Sequence, residues 1–268
     1  MAKIVSKSFW SKYQQRYTTS KSLLCIGLDP EFSRLPLCTR TTPNPIWEFN
    51  RQLIEATADF ACAFKPNLAF YLADGIRGLD ALYKSLELIP DDIPVILDCK
   101  VGDIGSTMTA YVSAFFDSMQ VDAITLNPLM GSDVLQPLLK REFSFAFALC
   151  LTSNPSAFEF FQSASMAEEI AGWMQDFPPE KLGAVIGATQ SGDLKRMRSL
   201  LPGRIFLVPG VGAQGGDLHT VLRDAIDTPE MPNILVNSSR GIIFAENNVC
   251  FAKAAAKEAA VLAKQTRI

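Results

Sequence analysis

Short apolar runs recur along the chain, separated by longer amphipathic stretches. The runs are Ser22–Leu28, Ala61–Phe64, Val95–Leu97, Ala123–Leu126, Phe145–Leu151, Ala184–Ile186, Ile205–Val208 and Ile234–Val236. They are rich in Val, Ile, Leu, Phe and Cys and do not alternate with polar residues. Strands buried on both faces read this way, which predicts a parallel sheet. Helices are expected over Pro45–Ala58, Ser106–Met119, Ser132–Leu139, Ser165–Gln175, Ser191–Leu200, Gly216–Ala225 and Asn248–Lys264. Most open on Ser, Asp or Gly, or follow a turn signal such as TTPN or GDIG, as helix entry requires. Several apolar runs end in a polar residue and then proline: Asp29-Pro30, Lys65-Pro66, Asn127-Pro128 and Asn154-Pro155. Proline cannot continue a central ladder, so each pair marks the C-terminal end of a strand. Polar groups therefore gather at one end of the sheet. Eight such strand–helix units predict a single (β/α)8 TIM barrel with an N-terminal extension, occupying residues 1–268 as one domain. The structural rival is an open doubly wound sheet, but no Gly-x-Gly-x-x-Gly follows the first strand.

Length and composition narrow the function. At 268 residues, 48 % of them apolar, the chain suits one barrel with a sizeable core. Lys plus Arg number 25 against 28 Asp plus Glu, so no basic surface for nucleic acid is expected. His219 is the single histidine, which excludes a multi-histidine metal site within one chain. It falls in an expected helix and reads as an ordinary helix residue. The six cysteines are scattered with no Cys-x-x-Cys pair, and four lie in apolar runs. Buried, reduced thiols in a cytoplasmic protein are expected. The opening MAKIVSKSFWSKYQQRY lacks an apolar core of signal-peptide length, and no membrane span is expected. The C-terminal run AKAAAKEAAVLAK fits a membrane-surface helix or a closing helix on the barrel. Its apolar face is mostly alanine, which favours the closing helix.

The chemistry concentrates in VILDCKVGDIGST. On an extended strand, Asp98 and Lys100 share one face and Cys99 takes the other. Charges in so apolar a run are costly unless paired. Lys65 ends the preceding strand and Asp103 follows Gly102, giving four groups of alternating sign: Lys65, Asp98, Lys100 and Asp103. A network that merely plugs the barrel is the structural alternative. Buried ionic groups at barrel strand ends nevertheless point to a site. A second feature follows strand seven. FLVPGVGAQGGD leaves backbone N–H groups free for an anion, and Arg240 in NSSRGI, after strand eight, can hold phosphate bidentately. Asp29 can accept hydrogen bonds from a sugar hydroxyl. In TSNPS, Thr152, Ser153 and Asn154 can read a polar ring edge. Both segments also read as simple turns.

These motifs resemble a known family. Asp98-Cys-Lys100-Val-Gly-Asp103-Ile-Gly-Ser-Thr107 is similar to the Asp-x-Lys-x-x-Asp-Ile-x-x-Thr signature of the orotidine 5′-phosphate decarboxylases. GLDP, FKPN, TSNPS, PGVGAQGGD and SSRGI stand in the family's order, and FKPNLAFY resembles its longer-chain (type 2) subfamily. The resemblance implies decarboxylation of orotidine 5′-monophosphate to UMP, with no cofactor and no metal. It implies that Lys100 stabilises and protonates the carbanion at C6 of the ring. Asp98 would lie beside the substrate carboxylate and position Lys100, while Lys65 holds the charge network and the ribose. Asp29 would bind the ribose and Ser153 the pyrimidine. Gln214 and Arg240 would hold the phosphate. Asp103 and Thr107 would enter the partner's site in a homodimer with shared active sites. Two rivals stand beside this reading. One is a magnesium-dependent sugar-phosphate lyase or synthase of the same barrel type, and the other is a nucleotide-binding protein without catalysis.

Overall fold

A computed structural model describes residues 7–161, 165–187, 192–211 and 217–268. Eight strands form one sheet: β1 (Leu24–Leu28), β2 (Ala63–Pro66), β3 (Ile96–Val101), β4 (Ala123–Leu126), β5 (Ala146–Leu151), β6 (Leu182–Ile186), β7 (Phe206–Val208) and β8 (Ile234–Ser238). Every pairing is parallel, in the order β2-β1-β8-β7-β6-β5-β4-β3. Parallel bridges Phe64–Val95 and Asn67–Asp98 join the two ends, so the sheet closes into a barrel. All positions of β1, β2, β4, β5, β6 and β7 are buried, as their unalternating apolar sequences require.

The outer helices follow from local sequence. In Pro45–Thr57, the Asn44 side chain accepts from the Trp47 N–H and proline occupies the first turn. Ile46, Phe49, Leu53 and Ile54 form its buried stripe. The closing helix, Phe251–Gln265, buries Phe251, Ala255, Ala259 and Ala263, one every four residues. It packs on the Pro45–Thr57 helix and on β1, so this run belongs to the barrel's outer ring and the membrane-surface alternative falls. No helix among the described residues is long and apolar enough to cross a membrane.

Three expected features change. The Ser106–Met119 stretch is an α-helix only over Gly105–Ser113 and continues as a π-helical turn over Ala114–Ser118. Ser132–Leu139 divides into a 3-10 turn, Gly131–Val134, and a single helical turn, Gln136–Leu139. Pro137, lacking an N–H, sits where one continuous helix would need a donor. Between β2 and β3, where the strand–helix repeat calls for a helix but the apolar pattern marks none, lie Leu68–Leu72 and Gly75–Leu88. The buried face of Gly75–Leu88 uses Gly78, Ala81 and Ser85 beside Leu82 and Leu86, so small residues disguise its apolar stripe.

The N-terminal extension is a helix, Phe9–Ser20, capped by Ser8. It packs beneath the barrel, at the strands' N-terminal ends. Phe9 stacks on Phe145 at 4.7 Å between ring centroids, and the Tyr13 hydroxyl donates to the backbone carbonyls of Pro232 and Ile234. Extension and barrel therefore share one core.

Candidate active site

The opposite end, where the strands' C-termini meet, holds a cavity of about 500 Å3. Asp29, Lys65, Asp98, Lys100, Ser153 and Arg240 all line it. Six sequence-predicted residues from five strand ends are thus brought together. Leu149, Val185 and Leu207, one each from β5, β6 and β7, supply an apolar wall.

Asp98 organises the charged side. Its Oδ2 accepts from Lys65 Nζ at 3.0 Å, and its Oδ1 accepts from Lys100 Nζ at 2.6 Å. Thr125 Oγ1 donates to the same Oδ1 at 2.9 Å. The Lys65 and Asp98 side chains are only 6 % and 10 % exposed, whereas that of Lys100 is 51 % exposed. Lys100 is therefore the member of the trio that presents its charge to the open cavity. Burial by itself would raise the carboxyl pKa of Asp98, but the two lysines hold it well below the usual carboxylate range. Burial likewise disfavours the Lys65 ammonium, yet Asp98 and then Asp29 hold its pKa above the ordinary lysine value. Both groups stay ionised across the neutral range. Cys99, between Asp98 and Lys100 in sequence, is no nucleophile, because burial pushes its thiol up to about 12.

The strand geometry departs from simple alternation. Lys100 lies in the left-handed region, with φ 47°. The β3–β4 register slips between Leu97 and Val101. Asp98 and Lys100 still meet, but through this irregularity rather than through the pleat of an extended strand.

Of the four alternating charges, Lys65, Asp98 and Lys100 meet within this chain. Asp103 lies beyond the end of β3 and does not line the cavity; its Oδ1 accepts the N–H of Ile104 at 2.8 Å. Thr107 is exposed on the first turn of the Gly105–Ser113 helix and is also outside the cavity wall. Gln214 lies outside the described residues. His219 is an exposed residue whose N–H is capped by Asp217, an ordinary helix position.

Two glycines let the walls close in. A Cβ on Gly27 would lie 1.8 Å from Ser239 Oγ, so only glycine on β1 admits the turn that carries Arg240. A Cβ on Gly187 would lie 2.8 Å from the Ser153 backbone, so the turn after β5 sits directly against the end of β6.

Sequence reasoning missed two cavity residues. Thr125 is the solitary polar position of β4, and that isolation is the signal that marks it, whereas Asn237 opens the polar end of β8 with Ser238. Among the described residues, Asn237 Oδ1 and Asp29 Oδ1 are buried atoms without a hydrogen-bond partner. Such orphaned acceptors are costly unless a donor reaches them. In the cavity wall, both are suited to a hydroxyl- or amide-bearing ligand.

Comparison with known proteins gives a consistent neighbourhood. Residues 22–255 match the model of the "Orotidine 5'-phosphate decarboxylase / HUMPS family". The orotidine 5′-phosphate decarboxylase of Thermomicrobium roseum is 42 % identical over 92 % of this chain and 91 % of its own. The OMP decarboxylase structure from Leishmania donovani is 32 % identical with a TM-score of 0.79, covering 96 % of this chain and all of that one. The same organism's UMP synthase structure is 34 % identical with a TM-score of 0.81, and this chain spans 57 % of its length.

Proposed function

The chain belongs to the orotidine 5′-phosphate decarboxylase / HUMPS family, and from that premise we propose that it converts orotidine 5′-monophosphate to UMP and CO2. The observation that carries this reading is the half-exposed Lys100 ammonium held 2.6 Å from a buried, ionised Asp98. Decarboxylation breaks the bond between C6 and the carboxylate carbon. CO2 departs, and the electron pair stays on a ring carbon with no π-system to receive it. A fixed ammonium beside C6 stabilises that charge more in the transition state than in the ground state. Lys100 then transfers a proton to C6 and is recharged from water. Two unit charges 4 Å apart interact by about 4 kcal/mol at an effective dielectric near 20. One such contact cannot supply a large acceleration alone. Substrate binding remote from C6 must contribute to orienting the ring and excluding water.

The remaining residues take roles suited to their places. Asp98 sits beside the substrate carboxylate and aims Lys100, and Lys65 keeps Asp98 ionised and reaches the ribose. The orphaned Asp29 oxygen accepts from a ribose hydroxyl. Ser153 contacts the pyrimidine edge. Arg240 holds the phosphate with Gln214. Asp103 and Thr107, which do not line their own cavity, enter that of a second copy in a two-fold homodimer. Ile104 and Tyr111, exposed apolar side chains on the same segment, suit such an interface. Free cysteines fit a reducing, cytoplasmic setting.

Arg240→Ala should weaken UMP binding at least about tenfold, the equivalent of one lost charge-assisted hydrogen bond. Uridine, which lacks the phosphate, should bind both proteins alike by calorimetry. Equal losses for the two ligands would remove Arg240 from the phosphate site. The activity itself is checked by product analysis after incubation with orotidine 5′-monophosphate. UMP and CO2 should appear in equal amounts. If UMP binds and the substrate is never consumed, the protein is a nucleotide binder and not a decarboxylase.

A further inference from the structure

The irregularity in β3 requires a partner on β4. Between the paired positions Leu97–Ile124 and Val101–Leu126, β3 has three residues and β4 has one. That one residue is Thr125. An excess of residues on one strand leaves its backbone groups without ladder partners. Here the unpaired groups are the N–H of Cys99 and the N–H of Lys100. Thr125 Oγ1 accepts both, at 3.0 and 2.9 Å.

A hydroxyl has two acceptor sites and one proton. With both acceptor sites taken by backbone donors, the proton is committed to Asp98 Oδ1, 2.9 Å away. Thr125 is 2 % exposed, so water does not compete for these bonds. One oxygen therefore ties together the backbone on both sides of Cys99 and the carboxylate that pairs with Lys100. It also supports a left-handed conformation at Lys100 that a non-glycine residue adopts only when its surroundings impose it.

We infer that Thr125 is a positioning residue for the reaction: its hydroxyl holds the Lys100 backbone and the Asp98 carboxylate in the one arrangement that points the ammonium into the cavity. The inference rests on the decarboxylase reading. Methyl packing in β4 is a different role, since valine would supply it equally well.

Thr125→Ser, Thr125→Ala and Thr125→Val separate hydroxyl from methyl. Each is assayed for turnover, for UMP affinity by calorimetry and for melting temperature. Wild-type turnover, measured alongside, tests the decarboxylase reading independently of the variants. T125S should keep kcat within about threefold of wild type, and T125A and T125V should each lose at least about tenfold. UMP affinity should stay within about threefold in all three, because phosphate, ribose and pyrimidine contacts lie elsewhere. A role in stability alone would lower the melting temperature without this split. If T125A and T125V do not fold, T125C decides, because a thiol fills the space yet accepts hydrogen bonds poorly. It should bind UMP normally and turn over slowly. The inference is overturned if T125A, T125V or T125C matches T125S in kcat, if T125S falls as far as T125A, or if UMP affinity falls in parallel with kcat.

Discussion

Lys100→Ala is expected to lower turnover by about 10⁴-fold while UMP binding remains measurable. The substitution removes the ammonium that meets the developing charge and the proton that completes the product. The fold should survive it. The Lys100 side chain is 51 % exposed, and Asp98 keeps its bonds to Lys65 and Thr125. The buried Lys65–Asp98 pair is the more fragile element, since removing either partner strands an uncompensated charge. Binding of UMP by the variant, measured by calorimetry, separates a chemical defect from a collapsed site. Turnover near the wild-type rate would show that the stabilising charge and the proton come from another group.

The second large effect is restoration of activity in a mixture. Lys100→Ala and Asp103→Ala chains should each be nearly inactive alone. In the proposed two-fold dimer, each site takes Lys100 from one chain and Asp103 from the other. After dissociation and remixing, random pairing makes about half the dimers mixed. One site of a mixed dimer then carries both substitutions and the other carries neither. The mixture should recover roughly a quarter of wild-type activity. Exchange is followed with differently tagged chains. A mixture that exchanges and stays inactive would return Asp103 to its own chain's site, and its bond to the Ile104 N–H would have to break on substrate binding.

The fold was legible where burial on both faces erased alternation. All eight strands announce themselves as apolar runs, and β4 has the predicted bounds, Ala123–Leu126. Proline after a polar residue located the strand ends and with them the face that bears the site. Charges inside β3 were legible for the related reason that ionic groups do not enter an apolar strand without a partner. What sequence hid depends on the neighbouring element. The Gly75–Leu88 helix faces a tight contact that only small residues fill: a Cβ on Gly78 would lie 2.0 Å from the Tyr71 carbonyl oxygen. The left-handed turn at Lys100 follows from the β3–β4 register, which no pattern within β3 encodes. Thr125 and Asn237 pass as minor polar substitutions in apolar strands until the cavity gives them a direction. Asp103 shows the opposite limit. Alternating signs single it out, but a two-residue step past Val101 carries it beyond the strand end and out of its own cavity, and only the family resemblance assigns it to a partner's site.

In the proposed reaction, side chains of this protein, with Lys100 foremost, carry out the decarboxylation without a metal ion. The direct measurement follows the absorbance loss of orotidine 5′-monophosphate in buffer containing excess EDTA, in parallel with buffer containing magnesium. The rate should be the same in both, with UMP as the product. Loss of activity in EDTA that magnesium restores would contradict this and favour a metal-dependent reaction at the same carboxylates.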